Sequence, residues 1–257
     1  MNKINTDVNY RKMAGNARLV IIAESSHNPA SYKYEAMRAL KQLKAAGFTH
    51  FAMEMLPLKI KEKIEFYQRT GKGFDAIKLH FKENWNWNSA ASTGYGELVK
   101  TANSVGLKII PLDMPIEMMD LIDDHCNWED ADTGSCSDSH IQRNQMWASI
   151  LKTNLQVDKS ARIVAFMHRY HAFHAGNKHV GIDTLMLSLN VNNISIIDYV
   201  GGLICSDNGI CEGQSDENKS LKDTYFYRKG SFIPSSLPSF TVHIPQKRVT
   251  PEGTLTW

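Results

Sequence analysis

The sequence predicts an α/β fold in which a mostly parallel central sheet is flanked by helices on both faces. Two observations support this prediction: short, continuously apolar runs recur along the chain, and helix-like segments separate them. Strands that are apolar along their whole length are buried on both faces, as in parallel sheets whose crossovers are helices. A short β-containing tail is expected to follow this alternation.

The strands and helices are expected in strict alternation. The five apolar runs are RLVIIAE (18–24), THFAMEM (49–55), LKIIPLD (107–113), RIVAFMH (162–168) and NISIIDY (193–199). The intervening segments with helical character are 29–46, 96–105, 139–155 and 182–190. In the first of these segments, apolar or small residues recur at the spacing of one helix face, which indicates packing against the sheet.

The chain is predicted to form a single domain spanning residues 1–257. A length of 257 residues with 42% hydrophobic residues is enough for a sizeable core. An aromatic-rich insertion at 57–95 separates the second and third strands. An extension from about 223 to 257 contains two more strand-like runs, TYFYRKG and FTVHIP, and is expected to cover an edge of the main sheet.

Composition argues against two classes of partner. The formal net charge of +2 is too balanced for a nucleic-acid-binding surface. No apolar run approaches the roughly 20 residues of a membrane-spanning helix. The N-terminus has no apolar region of the signal-peptide type, which favours a cytoplasmic location.

The cysteines leave the compartment open. They form two close pairs, Cys126 with Cys136 and Cys205 with Cys211. Four free thiols fit a cytosolic protein, whereas two local disulfides fit a periplasmic or secreted protein from which a signal was removed.

Every apolar run ends in, or just before, an ionisable side chain. Because the carboxyl ends of parallel strands meet at one edge of the sheet, these side chains are expected to form a functional site there. The residues at or directly after the five strand ends are Glu24 with His27, Glu54, Asp113, His168 with His171, and Asp198.

Two chemistries suit these side chains. Two histidines and two carboxylates, here Glu24, His27, Glu54 and His171, make a ligand set for a divalent transition metal such as Mn, Co or Zn. A bound metal would acidify a water molecule and polarise a carbonyl group. Without a metal, Glu24 can orient His27 as a general base toward water.

Several motifs resemble one superfamily. AESSHN (23–28) resembles the Gly-Glu-x-x-His segment of erythromycin-esterase-like proteins and the Gly-x2-His motif of ChaN-like and TIKI proteins. FAMEML (51–56) is similar to the second strand of that superfamily, and RNQMWASIL (143–151) resembles its Arg-Asn-x-x-Met helix. IVAFMHRYH (163–171) lies where the superfamily has its second Gly-x2-His motif.

The resemblance implies an α/β sheet with a site built from two histidines and the glutamates. Members of the superfamily divide between metal-dependent peptidases, antibiotic esterases and haem or iron-uptake proteins. The sequence departs from the superfamily at two positions, where Ala23 and His168 replace the motif glycines. Each side chain narrows the space in which a ligand or the backbone could approach a glycine. A literal Gly-x2-His also occurs at Gly176 to His179, so the second histidine is His171 or His179. His171 is preferred because it follows a strand directly.

The sequence therefore predicts a metal-dependent hydrolase that cleaves a peptide or a small-molecule ester. Two alternatives are open: a metal-free esterase that uses Glu24 and His27, and a non-enzymatic haem or iron-binding protein. The substrate and the oligomeric state are not indicated. The predicted catalytic residues are Glu24, His27, Glu54, His171 and Arg143, with Arg143 directing positive charge at a carboxylate or oxyanion. The predicted substrate-binding residues are Trp85, Tyr95, Asp113 and His168.

Overall fold

A computed structural model gives the fold of most of the chain. The residues that it describes are 6–85, 88–115, 117–119, 137–173, 180–205, 211–213, 224–231 and 235–246.

The core of the fold is a seven-stranded sheet. Its strands are β1 (Leu19–Glu24), β2 (His50–Pro57), β3 (Lys108–Asp113), β4 (Ile163–His168), β5 (Ile194–Gly201), β8 (Phe226–Lys229) and β9 (Ser239–Ile244), and a separate hairpin is formed by β6 (Leu203–Cys205) and β7 (Cys211–Gly213). The strand order in the large sheet is β3-β2-β4-β1-β5-β9-β8. All neighbouring pairs in the sheet are parallel except the antiparallel pair β8 and β9. The predicted fold class is confirmed.

Helices cover both faces of this sheet. They are α1 (Tyr10–Ala14), α2 (Ala30–Ala45), α3 (Lys61–Thr70), α4 (Phe74–Asn84), α5 (Ser89–Ser104), α6 (Ser137–Val157), α7 (Arg169–Ala172) and α8 (Ile182–Ser188), with a 3-10 turn at Leu58–Ile60. Alternate side chains of β1 enter two separate cores. Val20 and Ile22 pack in the core that includes residues of α2 and α5. Leu19 and Ile21 pack in the core that includes residues of α6 and α8.

The insertion at 57–95 is helical, and the helix predicted at 96–105 begins earlier, at Ser89. Asn88 caps this helix, because its side chain accepts a hydrogen bond from the backbone N–H of Ala91 at 2.6 Å. Earlier in the insertion, Gly71 ends α3 in the left-handed conformation, with φ of +70°. The insertion therefore forms a helical layer on one side of the sheet.

The C-terminal tail extends the sheet at one edge, as the sequence predicted. Strand β9 pairs in parallel with β5, and β8 follows it as the edge strand. In the small hairpin, Cys205 and Cys211 occupy directly opposed positions. Cys126 and Cys136 lie outside the described residues, so the cysteine pairing stays a prediction, as does the single domain.

Among the helices that the structure describes, none is both long and apolar enough to cross a bilayer.

The strand order decides which strand ends meet. Strand β4 lies between β1 and β2, and it pairs in parallel with both. At the carboxyl edge, Glu24 of β1 is directly opposite His168 of β4 on one side and Tyr199 of β5 on the other. His168 therefore lies between the ends of β1 and β2.

Candidate functional site

Four of the five predicted strand ends contribute to two adjoining clusters at the carboxyl edge of the sheet, although Glu54 lies inside β2, which continues to Pro57. The fifth, Asp198, lies inside β5 and pairs with Arg169 at 2.8 Å. The dyad cluster consists of Glu24, His27, Lys33, Tyr95 and His168. The arginine cluster consists of Glu54, Asp113, Arg143, Asn144 and His171.

A carboxylate–imidazole pair, the Glu24–His27 dyad, forms the centre of the dyad cluster. Glu24 is the last residue of β1 and is fully buried, whereas the His27 side chain, in the following turn, is 21% exposed. The Nδ1 atom of His27 lies 2.8 Å from Oε1 of Glu24. A buried acid thus holds one nitrogen of an imidazole that reaches the surface.

Two further side chains hold the Glu24 carboxylate. The hydroxyl of Tyr95, from α5, donates to Glu24 Oε1 at 2.6 Å, and it lies 3.1 Å from His27 Nδ1. The ammonium of Lys33, from α2, lies 2.7 Å from Glu24 Oε2. Both oxygens of the carboxylate are therefore engaged.

These contacts fix the charge of Glu24 and the tautomer of His27. Burial alone would raise the pKa of the Glu24 carboxyl, but the Lys33 ammonium and the hydrogen bond with His27 outweigh it and lower the pKa to about 2. Because the carboxylate only accepts hydrogen bonds, Nδ1 of His27 carries the proton. In that tautomer, Nε2 is the basic atom of the ring.

His168 lies beside this pair in the neutral form. Burial, reinforced by His27, lowers its pKa to about 3. Its side chain caps α7 by accepting the backbone N–H of Tyr170 on Nδ1, at 3.3 Å. A neutral imidazole that accepts at Nδ1 carries its proton on Nε2. His168 therefore provides a neutral N–H donor next to His27.

The arginine cluster is built around one buried guanidinium. Arg143, from α6, donates to Asp113 through Nε and Nη2, both at 2.9 Å, and to Glu54 Oε1 through Nη2 at 3.1 Å. Burial raises the pKa of the Asp113 carboxyl to about 6, although Arg143 opposes this rise. Two carboxylates thus share one cation in a buried setting.

His171 occupies the same cluster. Asn144 donates its amide N–H to the carbonyl of Val180 at 2.9 Å, which turns its carbonyl oxygen toward His171. Nδ1 of His171 donates to that oxygen at 2.6 Å. Nε2 of His171 lies 3.5 Å from Glu54 Oε1. Burial, followed by the charge of Arg143, lowers the pKa of His171 well below its usual value, so the ring is neutral.

The two clusters meet at His168. Its backbone N–H donates to Glu54 Oε2 at 2.6 Å, while its ring lies against that of His27 with the centroids 4.5 Å apart. The site is therefore one continuous network, with the dyad cluster at its exposed end.

The four predicted metal ligands divide between the two clusters. Glu24 and His27 belong to the dyad cluster, whereas Glu54 and His171 belong to the arginine cluster. Within the described ranges, no group of three or more His, Cys, Asp or Glu side chains is arranged to hold a metal ion.

The donor atoms themselves explain why the arrangement does not fit a divalent cation. The glutamate oxygens are engaged by the ammonium of Lys33, the guanidinium of Arg143 and N–H or O–H donors. A cation at either carboxylate would have to displace one of these positive groups. The negative charge that would attract a metal ion is already neutralised by Lys33 and Arg143.

Among the residues predicted to bind substrate, Tyr95 and His168 lie in the dyad cluster, but Tyr95 is fully buried and contacts Glu24. Asp113 is buried against Arg143. Trp85 packs, partly buried, against the core on the α2 and α5 side. Gly176 and His179 lie outside the described residues, so the choice between His171 and His179 stays a prediction.

The sequence interpretation missed two members of the network, Lys33 and Asn144. Lys33 shares the apolar stripe of α2 with Ala36, Met37 and Leu40, all of them buried. A lysine on a buried helix face needs a partner, which was a detectable signal. Asn144 follows Arg143 in the segment that resembles the superfamily's Arg-Asn-x-x-Met helix, but nothing in the sequence indicates that it faces His171.

No model of a known protein family and no curated protein matches this sequence. Solved structures do share its fold. The type III effector HopBA1 aligns over 81% of this chain and 92% of its own, with 14% identity and a TM-score of 0.57. A mutant of the erythromycin esterase EreC in its open conformation aligns over 91% and 92%, with 9% identity and a TM-score of 0.57.

ChaN of Campylobacter jejuni, described with cofacially bound haem, aligns over 74% of this chain and 84% of its own, with 13% identity and a TM-score of 0.48. The structural neighbours thus include an erythromycin esterase, one of the three groups that the motifs resemble. At these identities the likeness shows a common fold.

Proposed function

We propose that this protein is a hydrolase that cleaves an ester or peptide bond with His27 as a metal-independent general base. The observation that carries the proposal is the 2.8 Å contact between Nδ1 of His27 and the buried, ionised carboxylate of Glu24. This contact orients the ring and stabilises the imidazolium that forms when His27 takes a proton. The partly exposed ring is accessible to water and to a substrate.

The reaction follows from the tautomers of the two histidines. Nε2 of His27 takes a proton from water while the water oxygen attacks the carbonyl carbon of the substrate. The electron pair of the carbonyl bond moves to oxygen, and Nε2–H of His168 donates a hydrogen bond to this oxyanion. The intermediate then collapses, and His27 returns the proton to the departing alcohol or amine, leaving a carboxylic acid.

The arginine cluster supports this reaction by holding His168 in place. Arg143 holds Glu54, and Glu54 accepts the backbone N–H of His168, which fixes the strand end that carries the oxyanion donor. The donors of Arg143 are used in hydrogen bonds to the carboxylates of Asp113 and Glu54. Its proposed role is therefore to position His168 through Glu54, instead of binding the substrate directly.

The test uses purified protein treated with a chelator, with metal removal verified by elemental analysis. Hydrolysis of a panel of p-nitrophenyl esters and fluorogenic peptides is then measured. We expect hydrolysis that survives metal removal and is lost in His27→Asn. His50→Asn is a matched control, because His50 begins β2 at the opposite edge of the sheet. Activity that needs Mn, Co or Zn would instead support the metal-dependent hydrolase.

Haem binding is the second candidate, favoured by one observation. Tyr170 is 56% exposed, and its ring lies against that of His168 with the centroids 5.1 Å apart. Histidine and tyrosine are both axial ligands of haem iron. A haem titration of the wild-type protein and of Tyr170→Phe tests this: a strong absorbance band that weakens in the variant would support it, and its absence from the wild type would reject it.

A further inference from the structure

A fully buried lysine lies beneath the dyad. Lys33 is the fourth residue of α2, and its side chain has no exposed surface. A buried ammonium is costly unless its charge and its N–H donors are matched by partners. The partners of Lys33 therefore indicate the role of this lysine.

Every polar partner of Lys33 belongs to the strand end or turn that carries the dyad. Its Nζ lies 2.7 Å from Glu24 Oε2, and it donates to the carbonyl of His27 at 2.5 Å and to that of Pro29 at 3.3 Å. The ammonium also lies 4.4 Å from the centre of the Tyr95 ring. One side chain thus holds the carboxylate, the backbone of the base and the turn that joins them.

A gap in the neighbouring helix makes room for this lysine. Gly94 of α5 lies against the Lys33 stem, and a Cβ atom added at Gly94 would be 3.0 Å from Cβ and 3.1 Å from Cγ of Lys33. These distances are tighter than ordinary van der Waals contact, so an alanine would push the stem away. Gly96, two residues further along the same helix, is different: a Cβ there would first meet Phe74 at 3.6 Å.

We propose that Lys33, seated in the gap at Gly94, is a positioning residue of the hydrolytic site. It fixes the Glu24 carboxylate and the turn at 24–29 so that His27 keeps its orientation toward the substrate. This inference rests on the proposed function and deepens it. Lys33 itself does not touch the substrate, because it is buried behind Glu24.

The first experiment compares wild-type protein with Lys33→Met, which retains the length of the side chain without its charge. We expect kcat to fall about 10- to 100-fold, as for loss of a hydrogen bond to a charged group, with KM changed less than about twofold. The downfield proton NMR signal of the His27 Nδ1–H should also shift or disappear. A purely structural role would leave both the kcat-to-KM pattern and this signal unchanged in the folded variant.

The second experiment leaves the lysine charge in place and moves its stem. Gly94→Ala should lower kcat, whereas the matched Gly96→Ala should retain wild-type kcat, although both substitutions add the same methyl group to the same helix. This pair decides the question if Lys33→Met does not fold. Equal kcat in the two alanine variants, or wild-type kcat in folded Lys33→Met, would overturn the inference.

His27→Asn separates this inference from the proposed function. If His27→Asn keeps its activity, the general-base proposal fails. If His27→Asn is inactive while Lys33→Met and Gly94→Ala are fully active, only the role of Lys33 fails.

Discussion

The rings of His27 and His168 lie with their centroids 4.5 Å apart, although one residue follows β1 and the other ends β4. This contact exists because β4 is inserted between β1 and β2 in the sheet. The same strand end carries the backbone N–H that reaches Glu54. His168 therefore joins the Glu24–His27 dyad, whose imidazole is partly exposed, to the buried arginine cluster.

Substitution of the proposed base should remove activity without unfolding the protein. The His27 side chain is partly exposed and is not part of the apolar core, so His27→Asn should unfold within a few degrees of the wild type. Hydrolysis should fall about 100- to 10,000-fold, the usual contribution of general-base catalysis. Steady-state kinetics together with circular dichroism melting measures both. An inactive variant that is also unfolded would not support the assignment.

Removal of the buried guanidinium should destabilise the fold strongly. Arg143→Met leaves Glu54 and Asp113 buried without their shared cation, and we expect the free energy of unfolding to fall by about 3 to 5 kcal/mol. Urea denaturation measures this change. The matched control is Arg69→Met, an exposed arginine, which should cost less than about 1 kcal/mol. Equal losses in the two variants would contradict the central role of Arg143.

Removal of the tyrosine hydroxyl should weaken catalysis. Tyr95 donates to the Glu24 carboxylate at 2.6 Å, so Tyr95→Phe removes a hydrogen bond to a charged group. We expect kcat to fall about 10-fold with little change in KM. Tyr67→Phe is a suitable control, because Tyr67 is a buried tyrosine of α3 whose ring packs on Phe74. A kcat loss of the same size in Tyr67→Phe would show a packing effect.

The neutral state of His168 should make stability depend on pH. Its folded pKa of about 3 lies below the unfolded value near 6.5, so between these values the unfolded chain binds more protons. Its neutral burial therefore costs stability as pH falls from about 6.5. Asp113, with its pKa raised to about 6, acts in the opposite sense between about pH 6 and pH 4.

Substitution of His168 separates its contribution to the pH dependence of stability from that of Asp113. On acidification from pH 7.5 to 5, His168→Gln should lose less unfolding free energy than the wild type, by on the order of 2 kcal/mol. Urea denaturation at both pH values gives the two differences. Parallel losses in wild type and variant would mean that His168 is not held neutral in the folded state.

The strands and their ionisable ends could be predicted from the sequence because both signals are local. Continuous apolar runs mark buried parallel strands, and Glu24, Asp113 and His168 are the last residues of β1, β3 and β4, whereas β2 continues past Glu54 to Pro57. The start of α5 at Ser89 was not predicted. The segment SAASTGYG has small residues and glycines in place of a clear apolar stripe, so its helical state depends on the Asn88 cap and on packing.

The pairing of the site residues could not be predicted, because it depends on strand order and on helix side chains. The position of β4 between β1 and β2 separates Glu54 from Glu24. Each glutamate then meets a cation from a helix: Glu24 meets Lys33, and Glu54 meets Arg143. These cations come from α2 and α6, and neither partner is indicated by spacing in the chain.

Hydrolysis by metal-free protein tests the central claim most directly. Wild-type protein and His27→Asn are stripped of metal, verified by elemental analysis, and assayed on the same panel of esters and peptides. The Glu24–His27 mechanism predicts that the metal-free wild type hydrolyses at least one substrate at its untreated rate and that His27→Asn does not. Loss of wild-type activity on metal removal, with recovery on addition of Mn, Co or Zn, would contradict the mechanism.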